Sequence, residues 1–325
     1  MSAFDCSQPV EHGPMVLSLK TAPESQPMIT RHCPSCSASH AHRLWDKGGV
    51  PYVRCLPCGM VYANRVDAAF ATGKFYNDRA DGFYLSPTKL EADYDPIRFK
   101  REWALFRKWV PQGKVLDVGC STGGFLKGLA GSDYELFGND VSKGALEQAS
   151  RVGIQVMTQP FLDIPPANSG FDAVTFWAVL EHVMEPRAFL EQAAQQLRVG
   201  GICIMLVPNL HSLVIRLLGS RYRYVVPEHI NFFSPTTLTA MVERMGLWQR
   251  EWLGSMHFNP VVLLQDAISP RNEVPDAERA GLLLRTNRWK KQAWLKPLQW
   301  AYENVEMCLG KHLAADNLVM VLRRR

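Results

Sequence analysis

Three groups of residues have types and spacings that could do chemistry. Four of the chain's eight cysteines stand as Cys33-Pro-Ser-Cys36 and Cys55-Leu-Pro-Cys58. That spacing fits a tetrahedral thiolate site in which each turn supplies half of the ligands. With four thiolates no position stays open, so a zinc ion there is expected to be structural. His32, His40 and His42 lie nearby and are surplus to it. The second group is the run Val115-Leu116-Asp117-Val118-Gly119-Cys120-Ser121-Thr122-Gly123-Gly124. An apolar strand ends there in a small-residue turn and leads into a helix, so backbone and free N–H groups can approach a ligand closely. Asp117 would sit badly beside a pyrophosphate but could face the ammonium of an amino acid. Roughly 20 residues later Asp140 closes YELFGND and suits a ribose diol. Together they describe an adenosine that carries an amino acid rather than phosphates. The third group is PEHINFFSP, where Glu228 and His229 put a carboxylate beside an imidazole. An imidazole near its ordinary pKa of ~6.5 can take a proton at neutral pH, and a neighbouring carboxylate can orient it or hold a substrate hydroxyl. A surface turn is the alternative, and nothing local decides between them.

The elements that must position these groups follow from the pattern. The chain has 325 residues, 47% apolar and 21% charged, with a formal net charge of +5. That is the balance of a globular protein and falls short of a nucleic-acid footprint. The longest apolar runs have strand length, and the start MSAFDCSQPVEHGP has no basic region followed by an apolar stretch. No secretory signal or membrane span is expected, and the cytosol is the expected compartment. Residues 1–29 read as a mobile tail, 30–66 as a zinc-binding module and 67–110 as a helical linker or cap. Residues 111–325 read as one α/β domain with a helical insertion at about 259–312. After Pro111-Gln112-Gly113 strands and helices alternate: KVLDVG, GGFLKGLA, YELFGND, SKGALEQASRV, IQVMT, FDAVTFW, PRAFLEQAAQQL closed by Gly200-Gly201, then ICIMLVPN. Ser234 caps a further helix, and LWQREWLGS and NLVMVLRRR are later strands. This rhythm predicts a mainly parallel, doubly wound sheet with ligands at the C-terminal ends of its strands, where Glu181, His182 and PEHINFFSP would meet.

DVGCSTGGFL, then GNDVS, then FDAVTFWAVLEHVMEPRAFLEQAAQQLRVGGICIMLVPN resemble the class I S-adenosylmethionine-dependent methyltransferases, over about residues 114–258 and the closing strand. The resemblance implies a Rossmann-like seven-stranded sheet. It implies that Asp117, Gly119, Cys120, Ser121 and Gly123 form the methionine-side loop, with Asp140 and Val141 at the ribose. Phe161 or Asp163 would face adenine, and Trp177 would lie along the cofactor. Ser121 stands where the family usually has its middle glycine. The stretch FWAVLEHV carries neither the Asn/Asp-Pro-Pro-aromatic pattern of amide and adenine-amine methyltransferases nor a Pro-Cys nucleophile. Methylation at oxygen, carbon or simple nitrogen, helped by a base, remains.

The zinc module, this core and the Glu-His pair after the fifth strand together resemble bacterial sugar methyltransferases. By that resemblance Tyr76, His182, Tyr222 or Tyr224, Glu228 and His229 surround the acceptor, with His229 as general base. The expected reaction is methyl transfer to a small hydroxylated or keto substrate, a nucleotide- or lipid-linked sugar or a related natural product. Two alternatives stand beside it: a ribosomal or transfer RNA methyltransferase whose zinc ribbon binds RNA, and a zinc-ribbon interaction protein with a vestigial cofactor fold. RTNRWKKQAWLKPLQW, residues 285–300, interleaves cations with three tryptophans. It reads as an amphipathic lid helix, or as a peripheral membrane contact.

Overall fold

The computed structural model describes residues 27–325 apart from 132, 167–169, 269–274, 293 and 295. The expected mobile tail therefore falls almost wholly outside the described residues. Its last residues do not: Met28–Thr30 (β1) pairs antiparallel with Arg65–Asp67 (β5). Between them run Ala41–Lys47 (β2), Val50–Cys55 (β3) and Val61–Ala63 (β4).

The α/β part is built on Gly113–Val118 (β6), Tyr134–Asn139 (β7), Gln155–Met157 (β8), Phe171–Trp177 (β9), Leu197–Pro208 (β10), Trp248–Met256 (β12) and Asn317–Arg324 (β13). They form one seven-stranded sheet in the order β12-β13-β10-β9-β6-β7-β8. The pairs β8/β7/β6/β9/β10 are parallel, while β13 runs antiparallel between β10 and β12. Strands covered on both faces need apolar side chains at successive positions, and the two faces divide the core cleanly. Leu116, Val174, Phe176, Met205 and Met320 point to one side. Val115, Ala173, Ile204, Val319 and Val321 point to the other.

The helix Lys143–Arg151 starts at Ser142, whose hydroxyl accepts from the Ala145 N–H at 3.3 Å, and it buries Ala145, Leu146 and Ala149. The helix Pro186–Gln196 does not run on to Gly200-Gly201 as the sequence suggested; β10 begins directly at Leu197. Those glycines lie instead in the register shift between Leu197 and Ile202. A Cβ at Gly201 would come within 2.9 Å of the Arg198 carbonyl oxygen, so the close strand approach there favours glycine. GGFLKGLA also shortens, to the single turn Gly124–Lys127.

PEHINFFSP does not stay a loop. Asn231–Phe232 is a strand, β11, pairing antiparallel with β4 through Asn231 opposite Tyr62 and Phe232 opposite Val61. The N-terminal module's sheet thus reads β11-β4-β3-β2, and its outer strand comes from the far side of the chain. Phe232 seals the join edge-on against Tyr52 (5.4 Å) and Trp45 (6.2 Å). Arg31 adds a second tie, donating to the Asn231 side-chain oxygen at 2.7 Å and the Met184 carbonyl at 2.8 Å.

The insertion comprises the helices Pro260–Ile268, Asp276–Lys290 and Lys296–Lys311. A single lid helix over 285–300 is therefore not formed. The chain turns after Lys290, and Pro297, which cannot donate within a helix interior, sits in the first turn of the next one. Trp289 packs edge-on against Tyr302, but Trp294 and Trp300 stay mostly exposed, so the tryptophans do not share one packed face. Among the described residues no helix is long and apolar enough to cross a membrane.

Candidate active site

The loop after β6 has the backbone that small residues permit. Gly119, Ser121 and Gly123 all have positive φ (72°, 50° and 80°), so Ser121 adopts the left-handed conformation a glycine would take there. A Cβ on Gly119 would meet a Val179 methyl at 2.5 Å, which brings this loop against the segment leaving β9. The Gly119 and Cys120 N–H groups both donate to the Asn139 carbonyl. Asp140 accepts from the Ser121 N–H through one oxygen and from the Ser142 N–H through the other, each at 2.8 Å. The residue expected at the ribose therefore also braces two loops. Burial pushes its carboxyl up, against the pull of those backbone bonds.

Asp117 is fully buried and accepts the Thr175 hydroxyl at 2.7 Å. Burial, partly offset by that bond, pushes its carboxyl up to about 8. The Ser121 and Thr122 hydroxyls and the Trp177 indole N–H are buried without a hydrogen-bond partner among the described residues. Buried polar groups ordinarily find partners, so three orphans around one loop are what a polar ligand would satisfy. Cys120 is buried at the same loop, and Val141 is exposed beside Gly73. Phe161 departs from expectation: its apolar ring is buried against Phe176 and Phe189 rather than lining an adenine site, while Asp163 is exposed on the same short turn.

Beyond β9 the chain turns left-handed at Ala178 (φ 59°) and delivers Glu181 and His182. The Glu181 carbonyl accepts the N–H groups of Ile230 and Asn231, and the Asn231 amide donates to the Leu180 and Val183 carbonyls. These bonds fix PEHIN against LEHV. The His182 and His229 rings stand edge to face, 4.7 Å between centroids. His182 Nδ1 lies 2.9 Å from both the Glu228 carbonyl oxygen and the Tyr76 hydroxyl. Because a carbonyl can only accept, Nδ1 carries the proton and Nε2 keeps its lone pair. The Tyr224 carbonyl works to raise the pKa of the His229 ring, and the ring's Nδ1 has no partner among the described residues. The Glu181 carboxyl is 1% exposed, and neither of its oxygens has a partner there.

Burial dominates the electrostatics of this cluster. It pushes Glu181 up to about 8, His182 down to about 4 and His229 down to about 3. Both imidazoles are neutral at physiological pH, so the expectation of a His229 near its ordinary value is corrected: desolvation disfavours the charged ring. Glu228 does not orient His229 with its carboxylate either. That group pairs with Arg279 at 2.9 Å and Arg79 at 3.7 Å. Burial works to raise its carboxyl, and the Arg279 bond, a backbone bond and the charges nearby together outweigh it and hold it low. It is the main-chain carbonyl of Glu228 that orients an imidazole, that of His182. Of the two tyrosines left open by the sequence, Tyr222 is buried and donates to Asp316 at 3.0 Å. Tyr224 lies half exposed with its ring 5.1 Å from that of Tyr222.

A family described as a methyltransferase domain matches residues 94–248, which span the cradle, Glu181, His182, Glu228 and His229. Those residues are a methyltransferase domain of the S-adenosylmethionine-dependent kind. The chain is 29% identical over 185 residues to the ubiquinone biosynthesis O-methyltransferase of Thiobacillus denitrificans, covering 52% of this chain and 78% of that one. The same-named enzymes of Psychrobacter arcticus (27% identical, 46% and 63% covered) and Vibrio cholerae (29%, 45% and 65%) are also similar, and the chain spans less than two thirds of their length. Among solved structures it is similar to a Pyrococcus horikoshii protein (16% identical, TM-score 0.48, 74% of this chain and 97% of that one). It is also similar to the N-methyltransferase NodS of Bradyrhizobium japonicum, in complex with S-adenosyl-L-homocysteine (13%, TM-score 0.45, 76% and 97%).

The methyltransferase carries its four paired cysteines close together. Cys33 and Cys58 sulfurs are 3.5 Å apart, as are those of Cys36 and Cys55, and all four lie within 4.8 Å of one another. Tetrahedral zinc with bonds of about 2.3 Å sets its sulfurs about 3.8 Å apart, so this arrangement could hold the ion. Sequence reasoning did not reach Arg79 and Arg279. Each comes from a distant helical region, and an arginine on an exposed-looking helix carries no local sign of a buried partner.

Proposed function

We propose that the methyltransferase moves the methyl group of S-adenosylmethionine to a small hydroxylated or keto acceptor, a nucleotide- or lipid-linked sugar or a related natural product. The observation that carries this is the contact between the cofactor loop and the post-β9 segment at Gly119 and Val179, two residues before Glu181. On this reading the sulfonium end of a cofactor held by Asp117, Gly119 and Asp140 would lie beside the Glu181–His182–His229 cluster. S-adenosylmethionine, when bound, would supply its methyl group to the acceptor's oxygen, and the open Nδ1 of His229 would take the proton that oxygen sheds. Tyr76, through His182, and the Glu228–arginine pair position the acceptor. The O-methyltransferase names of the relatives favour oxygen in a small molecule over RNA. The test is release of S-adenosylhomocysteine over pools of nucleotide sugars, phenols and transfer RNA. Turnover of sugars supports the reading, and turnover confined to RNA overturns it.

Asp117 adds an independent expectation. With its carboxyl near 8, it is largely protonated at pH 7, and an ammonium bound against it favours the ionised form. The shift on binding is downward, so cofactor binding at pH 7 releases a proton. Calorimetry in two buffers of different ionisation enthalpy should show that release, and Asp117→Asn should abolish it. Proton uptake in the wild type contradicts the assignment.

In the same reading Cys33, Cys36, Cys55 and Cys58 hold one structural zinc. The ion would clamp the turns on either side of the β2–β3 hairpin, and through β4 it would support β11 and hence His229. Cys55→Ser is expected to lose the zinc and to lower turnover more than cofactor affinity. Full zinc occupancy in that variant, by metal analysis of the purified protein, refutes the site.

A further inference from the structure

We propose that Glu181, His182 and His229 form a second metal site, holding a divalent transition-metal cation of the zinc class at the acceptor end of the cleft. The proposal rests on the reading that this cluster faces the acceptor, and it names the cofactor of that same site. Each of the three side chains offers one ligand atom, and these atoms all lie within 4.8 Å of one another. The His182 Nε2 to Glu181 carboxylate distance is 4.0 Å.

Two features separate this cluster from an incidental one. The first is the Glu181 carboxyl, fully buried with neither oxygen partnered among the described residues. A buried carboxyl left without partners costs several kcal/mol, a cost that a coordinated cation removes. The second is tautomer control. His182 donates its Nδ1–H to the Glu228 carbonyl. The Tyr224 carbonyl acts on the His229 ring to favour a proton there, while His229 Nδ1 is buried without a partner among the described residues. That leaves lone pairs on His182 Nε2 and His229 Nδ1. Ligating histidines ordinarily carry such a bond on the opposite nitrogen, because it fixes the ring and raises its basicity. Two histidines and a glutamate are a known catalytic zinc set that keeps a position open for water or substrate, and two histidines with one carboxylate also suit iron(II). At ligand bonds of about 2.0–2.2 Å the donor atoms sit about 3.4 Å apart, so separations that now reach as much as 4.8 Å close by up to about 1.4 Å around the ion. With the ion bound, His229 would serve as ligand rather than as base: the acceptor's hydroxyl would take the open position, where the cation would favour loss of its proton to solvent.

The experiment uses the full chain and counts ions. Purified protein with its thiolate site filled is titrated with zinc, then with cobalt(II) as a spectroscopic probe. The wild type should bind a second equivalent, and its cobalt spectrum should gain d–d bands without further thiolate charge transfer. Glu181→Gln and His229→Gln should each weaken the second equivalent at least 10-fold and leave the first unchanged. Unchanged S-adenosylmethionine affinity in these variants shows that they are folded. A wild type that stops at one equivalent, or variants that keep the second, overturn the proposal. Methyl transfer that persists with only the thiolate ion bound overturns the metal site and leaves the proposed function standing. A second ion with no methyl transfer to any acceptor does the reverse.

Discussion

Replacing His229 with asparagine lowers turnover by about 10²-fold or more while leaving S-adenosylmethionine affinity nearly unchanged. General-base assistance is typically worth 10²–10⁴-fold, and asparagine keeps the size of the side chain without a basic lone pair. His229 sits on the segment that β4 and the Glu181 carbonyl hold in place, not on the loop that Asp140 braces, so the cradle around Asp140 is undisturbed. The loss therefore falls on kcat and not on cofactor binding. The pH dependence carries a sign. Because the ring is pushed down to about 3, it does not change charge between pH 6 and 8. The ratio of wild-type to variant rates stays constant over that interval. A ratio that shrinks toward pH 6 means the ring titrates near its ordinary value, and normal turnover in the variant means His182 is the base to test.

Asp140→Ala weakens S-adenosylmethionine binding by about 10–100-fold, equivalent to roughly 1.4–2.8 kcal/mol. Two effects combine. In the proposed binding mode the ribose loses its acceptor, and the N–H groups of Ser121 and Ser142 lose the carboxylate that binds them at 2.8 Å each. Ser121 is held at a positive φ, a conformation an L-residue keeps only when its surroundings enforce it. Releasing its N–H lets the cradle relax before ligand arrives. Calorimetry measures the affinity directly, and an unchanged dissociation constant sinks the ribose assignment. Asp140→Asn, which keeps an acceptor oxygen for one of the two bonds, should fall between wild type and alanine.

The sheet was legible because each of its strands writes a run of apolar residues between glycines and helix caps, as KVLDVG and FDAVTFW do. The cradle was legible because its backbone demands small residues at fixed spacing, and the thiolate cluster because few other purposes need two CxxC turns. What escaped is held by contacts with no local signature. β11 is two residues long, shows no periodicity, and finds its partner about 170 positions earlier in the chain. Glu228 sits beside His229 in sequence but answers to Arg79 and Arg279 in space. Phe161 could be read as a wall for adenine because an aromatic ring serves a ligand and a core equally well. The break within residues 285–300 was written in Pro297, but the spacing of cations and tryptophans concealed it.

The pairing of β11 with β4 also bears on how this chain can be cut and recombined. A boundary drawn between residues 66 and 67 runs through β5 and, if used to excise the methyltransferase domain, removes the partner of Asn231–Phe232. The remnant would present Phe232, buried in the intact protein, on an unpaired strand edge, which invites self-association. Grafting the N-terminal module onto another methyltransferase fails for the complementary reason, since it arrives with an edge that only this core completes. The two parts form one inheritable unit, so a change of acceptor is more accessible through the rim around Tyr224 and Arg279 than through exchange of modules.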